Sequence, residues 1–504
     1  MAPNNYDLVI LGGRVLDPES NLNARRNVGV KDGKITAVTE DAIAGKETID
    51  ASCHVVCPGF IDGHVHVVDS PLGQKARLRD GVTTALDLEV GAYPVPTWYD
   101  NLKEKSQTNY GAVASVAGAR TAAFHADYKN QTGKMKSKTG NIVTDLFTGV
   151  PLGFEWSNKV PTEEEIKVIL GLIEDGLAQG ALGIGPPAGY MVAGFTSQEA
   201  TGVARLAGKF GRFLHVHTRF SSQMPPTTGI LAIEEQLAAI ATYGGGLIVA
   251  HMTAQTLNLT EAALDLIDDA RTHGLQAIAE IYPYNYGAAG NGVAADYLDP
   301  ENYQRNMGRT YSDIIDTRTG KPLDKATYDE MVKRDPNHPV MFYNATEEDM
   351  EKAIAHPTAI VGSDAFPFTD PKTGKLVTDW DTPWESVNGH PRTPGTCAKV
   401  LRMSREKKLL PLMSAVSKMS YQYAKFLEDN GVAQMANKGR IKVGADADIT
   451  VFDPDTVQDN STLDQGKNSL PSTGIPYVVV NGTVVVKDSE VLKGVYPGQP
   501  IRNQ

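Results

Sequence analysis

Two textures alternate along the chain. Residues 6–57 run as short apolar stretches, YDLVILGGRVLD, NVGVKDGKITAV and HVVCPGF, that alternate with polar positions between Gly, Asp and Pro breakers. A period of two bounded by turn residues predicts β-strands. The end of the chain has the same texture, with GRIKVGADADITVFDP and IPYVVVNGTVVVKDSEV built from β-branched residues around Asn-Gly and Asp-Pro turns. Residues 1–57 and 436–504 are therefore expected to share one small β-sandwich.

Between them, over residues 58–435, apolar strand candidates alternate with helical stretches, the pattern of a parallel α/β fold. Eight candidates come in order: FIDGHVHVV, TTALDLEV, AVASVAG, ALGIGPP, RFLHVHT, GLIVAHM, LQAIAEIYPY and TAIVGSD. Helix starts are marked by Thr162 with Glu165 and by Thr196 with Glu199, each with the spacing of a capping box. Eight strands with intervening helices predict a (β/α)8 barrel, whose active site lies at the C-terminal ends of its strands. The polar stretch from about 290 to 345, rich in Tyr, Asp and Pro, is longer than a crossover needs. It is expected to be a lid or pocket insertion at the barrel mouth.

Composition narrows the partners. With 41% hydrophobic and 21% charged residues over 504 positions, the chain is an ordinary globular protein with one large core and something smaller. A net charge of −12 argues against nucleic-acid binding, which needs clustered Lys and Arg. No run of about 18 apolar residues occurs, so no membrane span is expected. The first residues show no charged and apolar export signal, and the expected location is cytoplasmic, or periplasmic or secreted if a leader was trimmed. Three cysteines, Cys53, Cys57 and Cys397, are too few for a disulfide framework; Cys53 and Cys57 read as apolar packing. A homo-oligomer is compatible with the sequence, which names no interface.

The chemistry lies in one set of residues. His64 and His66 alternate near the end of the first strand and so point to one face. His217 ends the fifth strand, His251 the sixth and Asp364 the eighth. Unrelated structural histidines have no reason to favour those ends, whereas a metal site at a barrel mouth requires it. Neutral imidazoles suit Zn2+, one ion or two, with other divalent metals as alternatives. Two ions need a bridging anion. The fourth strand has no lysine to be carboxylated, so Glu89, closing the second strand, is the candidate, with an ion-pair partner as its other reading. Asp87 points the same way but deeper, and His215 reads as packing or as support beneath the site. Divalent metal lowers the pKa of water from about 15.7 toward 7, and Asp364 is placed to take that water's proton and pass it to a leaving nitrogen.

PGFIDGHVH, DGVTTAL, HVHTR, VAHM, IYPY, VGSDAF, GHPR and GRIKVGADADITVFDP stand in an order that resembles the amidohydrolase superfamily, and within it the N-acyl-D-amino-acid deacylases (D-aminoacylases), including the N-acyl-D-glutamate deacylase-like group. The resemblance implies His64 and His66 on a buried metal, His217 and His251 on a more exposed one, and Asp364 against the buried metal and a water. It implies that Tyr282 hydrogen-bonds the developing oxyanion and that Arg219 and Arg392 lie near the substrate, expected to be an anionic N-acyl amino acid; His390, beside Arg392, and Tyr284 are further substrate-binding candidates. The chain departs from the family in two places: Leu88-Glu89-Val90-Gly91 stands where a metal-binding cysteine is usual, and Thr253 where a lysine is usual. The expected activity is metal-dependent cleavage of the amide C–N bond of an N-acylated amino acid. The alternatives are a cyclic-amide hydrolase of the dihydroorotase or imidase kind, a dipeptidase, or a non-catalytic binding protein.

Overall fold

The computed structural model describes residues 6–125, 155–289, 292–336 and 338–503. The barrel strands are β1 (Phe60–Asp62), β2 (Val82–Ala92), β3 (Asn109–Ser115), β4 (Ile184–Gly185), β5 (Phe213–Val216), β6 (Gly246–Val249), β7 (Gln276–Ile281) and β8 (Ile360–Val361). Each pairs in parallel with the next to form one eight-stranded sheet in chain order. The ring closes just past β1 and β8, where the Ala365 amide donates to the His64 carbonyl and the His66 amide to the Ala365 carbonyl, both at 3.0 Å. Asp62 locks this seam by accepting from the Ser363 amide (2.9 Å) and hydroxyl (2.5 Å) and from the His64 amide (3.2 Å). The fold is a TIM-like barrel, as the strand–helix alternation predicts.

The barrel strands are buried on both faces because helices cover the outside. Ile61, Leu86, Val113, Ile248, Ile278 and Ile360 form an interior cluster with Tyr423, Phe426 and Ile501. Several boundaries differ from the sequence reading. The third strand stops at Ser115, whose hydroxyl accepts from the Gly118 amide at 3.0 Å and starts a helix (Val116–Phe124) inside the AVASVAG run. Thr162 and Glu165 form a reciprocal capping box, but at Thr196 only half of it forms. The Glu199 side chain instead turns inward to the buried guanidinium of Arg120 at 2.5 Å. A buried cation without a counter-ion costs far more than a cap contributes, so the ion pair takes the carboxylate.

Both chain ends build a single nine-stranded sheet, joined where Val55–Pro58 runs antiparallel to Ile449–Phe452. Leu8, Val28, Val56, Ile449, Val479 and others share its core. Cys57 is buried and Cys53 exposed, so only the former packs as an apolar residue; all three cysteines are free. The expected insertion forms a four-stranded sheet (Tyr286–Ala288, Ile314–Asp316, Lys321–Pro322 and Val340–Tyr343) with two helices, Pro300–Met307 and Lys325–Arg334. It has its own apolar cluster around Leu298, Tyr303, Tyr328 and Phe342. Residues 290, 291 and 337 of that stretch lie outside the described residues. Among the described residues, no helix is long and apolar enough to cross a membrane.

Ile449 is fully buried between Pro58 and Val479, in the core that both chain ends share. Ile449→Ala is expected to cost about 2–5 kcal/mol, read as a lower urea midpoint for unfolding of the two-ended sheet.

Candidate metal centre

β2 is buried throughout and delivers Glu89 to the centre of the barrel mouth. Its two carboxylate oxygens face different histidine pairs. Oε2 lies 3.3 Å from Nε2 of both His64 and His66. Oε1 lies 3.1 Å from His217 Nδ1 and 3.3 Å from His251 Nε2. Asp364 joins the first pair, its Oδ1 standing 3.5 Å from His64 Nε2 and 3.4 Å from His66 Nε2. Glu89 lies within β2, and the other five side chains lie one to four residues beyond strand ends. His251 and Asp364 adopt positive φ, 28° and 53°, a region costly for residues other than glycine. Strain held at two converging groups is typical of a working site.

The electrostatics call for positive charge. Burial alone pushes Glu89 up, yet His64 and hydrogen bonds from His217 and His251 carry it well below the usual carboxylate range. Burial pushes His64 down, yet Glu280, Asp364 and Glu89 draw it well above its ordinary value. His64 Nδ1 lies 2.6 Å from Glu280 Oε1, which makes Nδ1 the donor, so in the neutral ring, the form that binds a metal, Nε2 carries the lone pair. That nitrogen is buried and has no hydrogen-bond partner. An acceptor aimed at carboxylate oxygens is repulsive unless a cation stands between them. Imidazole and carboxylate donors gathered within 4.8 Å fit a divalent metal, and the groups His64–His66–Glu89, His64–His251–Asp364 and Glu89–His217–His251 each meet that distance.

The amidohydrolase family's sequence profile matches residues 47–486. The chain belongs to the amidohydrolase family. The N-acyl-D-glutamate deacylase of Alcaligenes xylosoxydans xylosoxydans is 27% identical over 95% of this chain and 93% of its own length. The D-aminoacylase of the same organism is 25% identical over 95% and 94%. Among solved structures, the N-acyl-D-glutamate deacylase from Bordetella bronchiseptica, complexed with zinc and a phosphonate mimic of the tetrahedral intermediate, matches with a TM-score of 0.74 at 25% identity, covering 99% of both chains. As an amidohydrolase the chain is a hydrolase of C–N amide bonds, and its cofactor is divalent metal.

The remaining sequence-derived positions divide. Tyr282 and Arg392 line the cavity of about 560 Å3 above the centre, together with His217, His251 and Asp364. Arg392 pairs with Asp364, Nη2 to Oδ2 at 2.9 Å, and its Nε donates to the Asp364 carbonyl at 2.5 Å. Arg219 also lines the cavity, but Glu235 takes its Nε and Nη2, and the Phe195 carbonyl its Nη1. Its fork is filled from within the protein. Tyr284 and His390 do not reach the cavity wall. The Tyr284 hydroxyl donates to the Pro391 carbonyl at 3.1 Å, and His390 Nδ1 accepts from the Arg392 amide at 3.1 Å, so both stand behind Arg392. Asp87 sits deeper, 3.5 Å from His66 Nδ1.

Sequence reasoning missed Glu280, Tyr190 and Asn344. Tyr190 stacks at 4.4 Å on the His217 ring, and the Asn344 amide donates to the Tyr282 hydroxyl at 3.5 Å. The signal for Glu280 was a lone carboxylate in the apolar run LQAIAEIYPY.

Glu89 serves both histidine pairs, so Glu89→Ala is expected to bring the divalent metal content of dialysed protein below about half the wild-type value. Elemental analysis checks this, and an unchanged content removes Glu89 from the ligand set.

Proposed function

We propose that the chain is a metal-dependent deacylase that cleaves the amide C–N bond of a small N-acylated amino acid, with zinc as the working metal. The observation that carries the reading is the Glu89 carboxylate set between two histidine pairs with Asp364 beside one of them, beneath the cavity that His217, His251 and Asp364 line. His64, His66 and Asp364 would hold one ion and His217 and His251 the other, with Glu89 between them. Bound there, zinc supplies Lewis acidity and makes water a nucleophile near neutral pH.

The protein's own groups do the rest. Burial pushes the Asp364 carboxyl up, but the Arg392 guanidinium and His64 outweigh it and keep it below the usual carboxylate range, hence ionised. It can therefore accept the proton of the attacking water and return it to the amine nitrogen, which leaves poorly unless protonated. Burial pushes the Tyr282 phenol up to about 12, although Arg392 works against it, so the hydroxyl stays protonated. Asn344 occupies that oxygen as a donor, which leaves the phenolic proton free for a carbonyl oxygen gaining negative charge. Glu89 would take the place of a carboxylated lysine between the two histidine pairs, and β4 (Ile184–Gly185) offers no lysine, which favours the linear amide over the cyclic one.

The substrate is read as anionic, though the two cavity arginines are already paired among the described residues. An entering carboxylate competes with Glu235 for Arg219 and with Asp364 for Arg392. Asp364→Asn, assayed with zinc in excess, is expected to lower kcat on N-acyl-D-amino acids by about 10^2–10^4-fold. Full activity in that variant ends the assignment. Assaying N-acyl-D-amino acids beside hydantoins and dihydroorotate tests the substrate class, and faster turnover of either cyclic amide reverses it.

A further inference from the structure

Beneath the metal centre a second carboxylate is buried that no step above uses. Glu280, on β7, is 1% exposed, and three polar groups surround it. His64 Nδ1 is 2.6 Å from Oε1, the Tyr423 hydroxyl donates to Oε2 at 2.6 Å, and His215 Nε2 is 3.3 Å from Oε2. Burying an anion this deeply is costly and calls for donors on both oxygens. The arrangement supplies them, and it reaches the metal centre through one ring only.

We propose that Glu280 is a positioning residue for metal binding: it holds the proton of His64 on Nδ1 and locks the ring so that the Nε2 lone pair faces the cation. Glu280 touches neither the cavity nor any reacting atom, so its effect passes wholly through His64. Tyr423 is the anchor that keeps the carboxylate in register with the ring. A ring free to rotate or to carry its proton on Nε2 would present N–H to the cation and bind nothing. The carboxylate–imidazole pairing also raises the basicity of the ligating nitrogen.

Backbone choices point to the same pair independently. A Cβ on Gly362, in the VGSD run, would stand 2.5 Å from both Cδ and Oε2 of Glu280. A Cβ on Gly63, in the DGHVH run, would collide with the Tyr423 hydroxyl. Neither glycine has positive φ, so space and not conformation is what these positions provide. Two of the sequence's motif glycines thus clear room for a buried carboxylate and its phenol partner directly under a metal ligand.

The inference rests on the metal-centre reading, and a wild-type titration separates the two: wild-type protein that takes up no zinc ends both. Glu280→Gln preserves shape and removes the charge. Zinc affinity, measured by competition with a chromophoric chelator, is expected to fall about 10–100-fold in this variant, while the melting temperature of the metal-free protein stays near wild type. Tyr423→Phe, which leaves the carboxylate in place but frees it to move, is expected to lose affinity by a smaller factor. Zinc affinity within twofold of wild type in a folded Glu280→Gln protein overturns the proposal. So does weaker binding that merely tracks an equal loss of metal-free stability in both variants. Should Glu280→Gln fail to fold, Tyr423→Phe decides: affinity within twofold of wild type overturns the proposal, and a clear loss at unchanged metal-free stability supports it.

Discussion

Everything at the barrel mouth follows from one costly act, the burial of the Glu89 carboxylate at 2% exposure among four imidazoles. A buried anion survives only with positive charge or donors on every side. Neutral imidazoles offering lone pairs cannot supply that, and neither can Asp364, which adds negative charge to the same spot. Divalent metal bound there resolves the conflict.

The surroundings keep this arrangement from relaxing into ordinary ion pairs. Arg392 grips Asp364 by both its carboxylate and its carbonyl, which holds a left-handed backbone in place and leaves Oδ1 turned toward His64 and His66. Glu280 and Tyr423 do the corresponding work for His64. Asp62 ties β1 to the segment after β8 and is itself paired with Arg77 at 2.8 Å. These supports come from different strands and helices, so the centre is over-determined by the closure of the barrel.

What could be read in advance follows from how local each signal is. The histidines and Asp364 were legible because strand periodicity and strand order alone place them at one rim. Glu89 was legible from an absence, the missing lysine of the fourth strand. Arg219 was named as a substrate partner, but Glu235 lies 16 residues on along the next helix, and a pairing of that kind emerges only when helix and strand pack. Tyr284 was misplaced because the chain turns after Tyr282 into the short strand Tyr286–Ala288, and His390 because its ring packs against Tyr286 at 5.0 Å and accepts from the Arg392 amide. Glu280 escaped because one carboxylate in an apolar strand has no periodic signature. The half-formed cap at Thr196 failed for a related reason, a distant arginine outcompeting a local bond.

The exchange of a thiolate for Glu89 has a consequence in the geometry. A single sulfur must serve two ions with one atom, whereas a carboxylate gives each histidine pair an oxygen of its own, as Oε2 does for His64 and His66 and Oε1 for His217 and His251. Two separate oxygens tolerate a wider range of ion separations and favour harder cations than sulfur does. The two half-sites also differ in charge: Asp364 is added to one pair alone. The residue standing where a cysteine is usual therefore bears on metal choice.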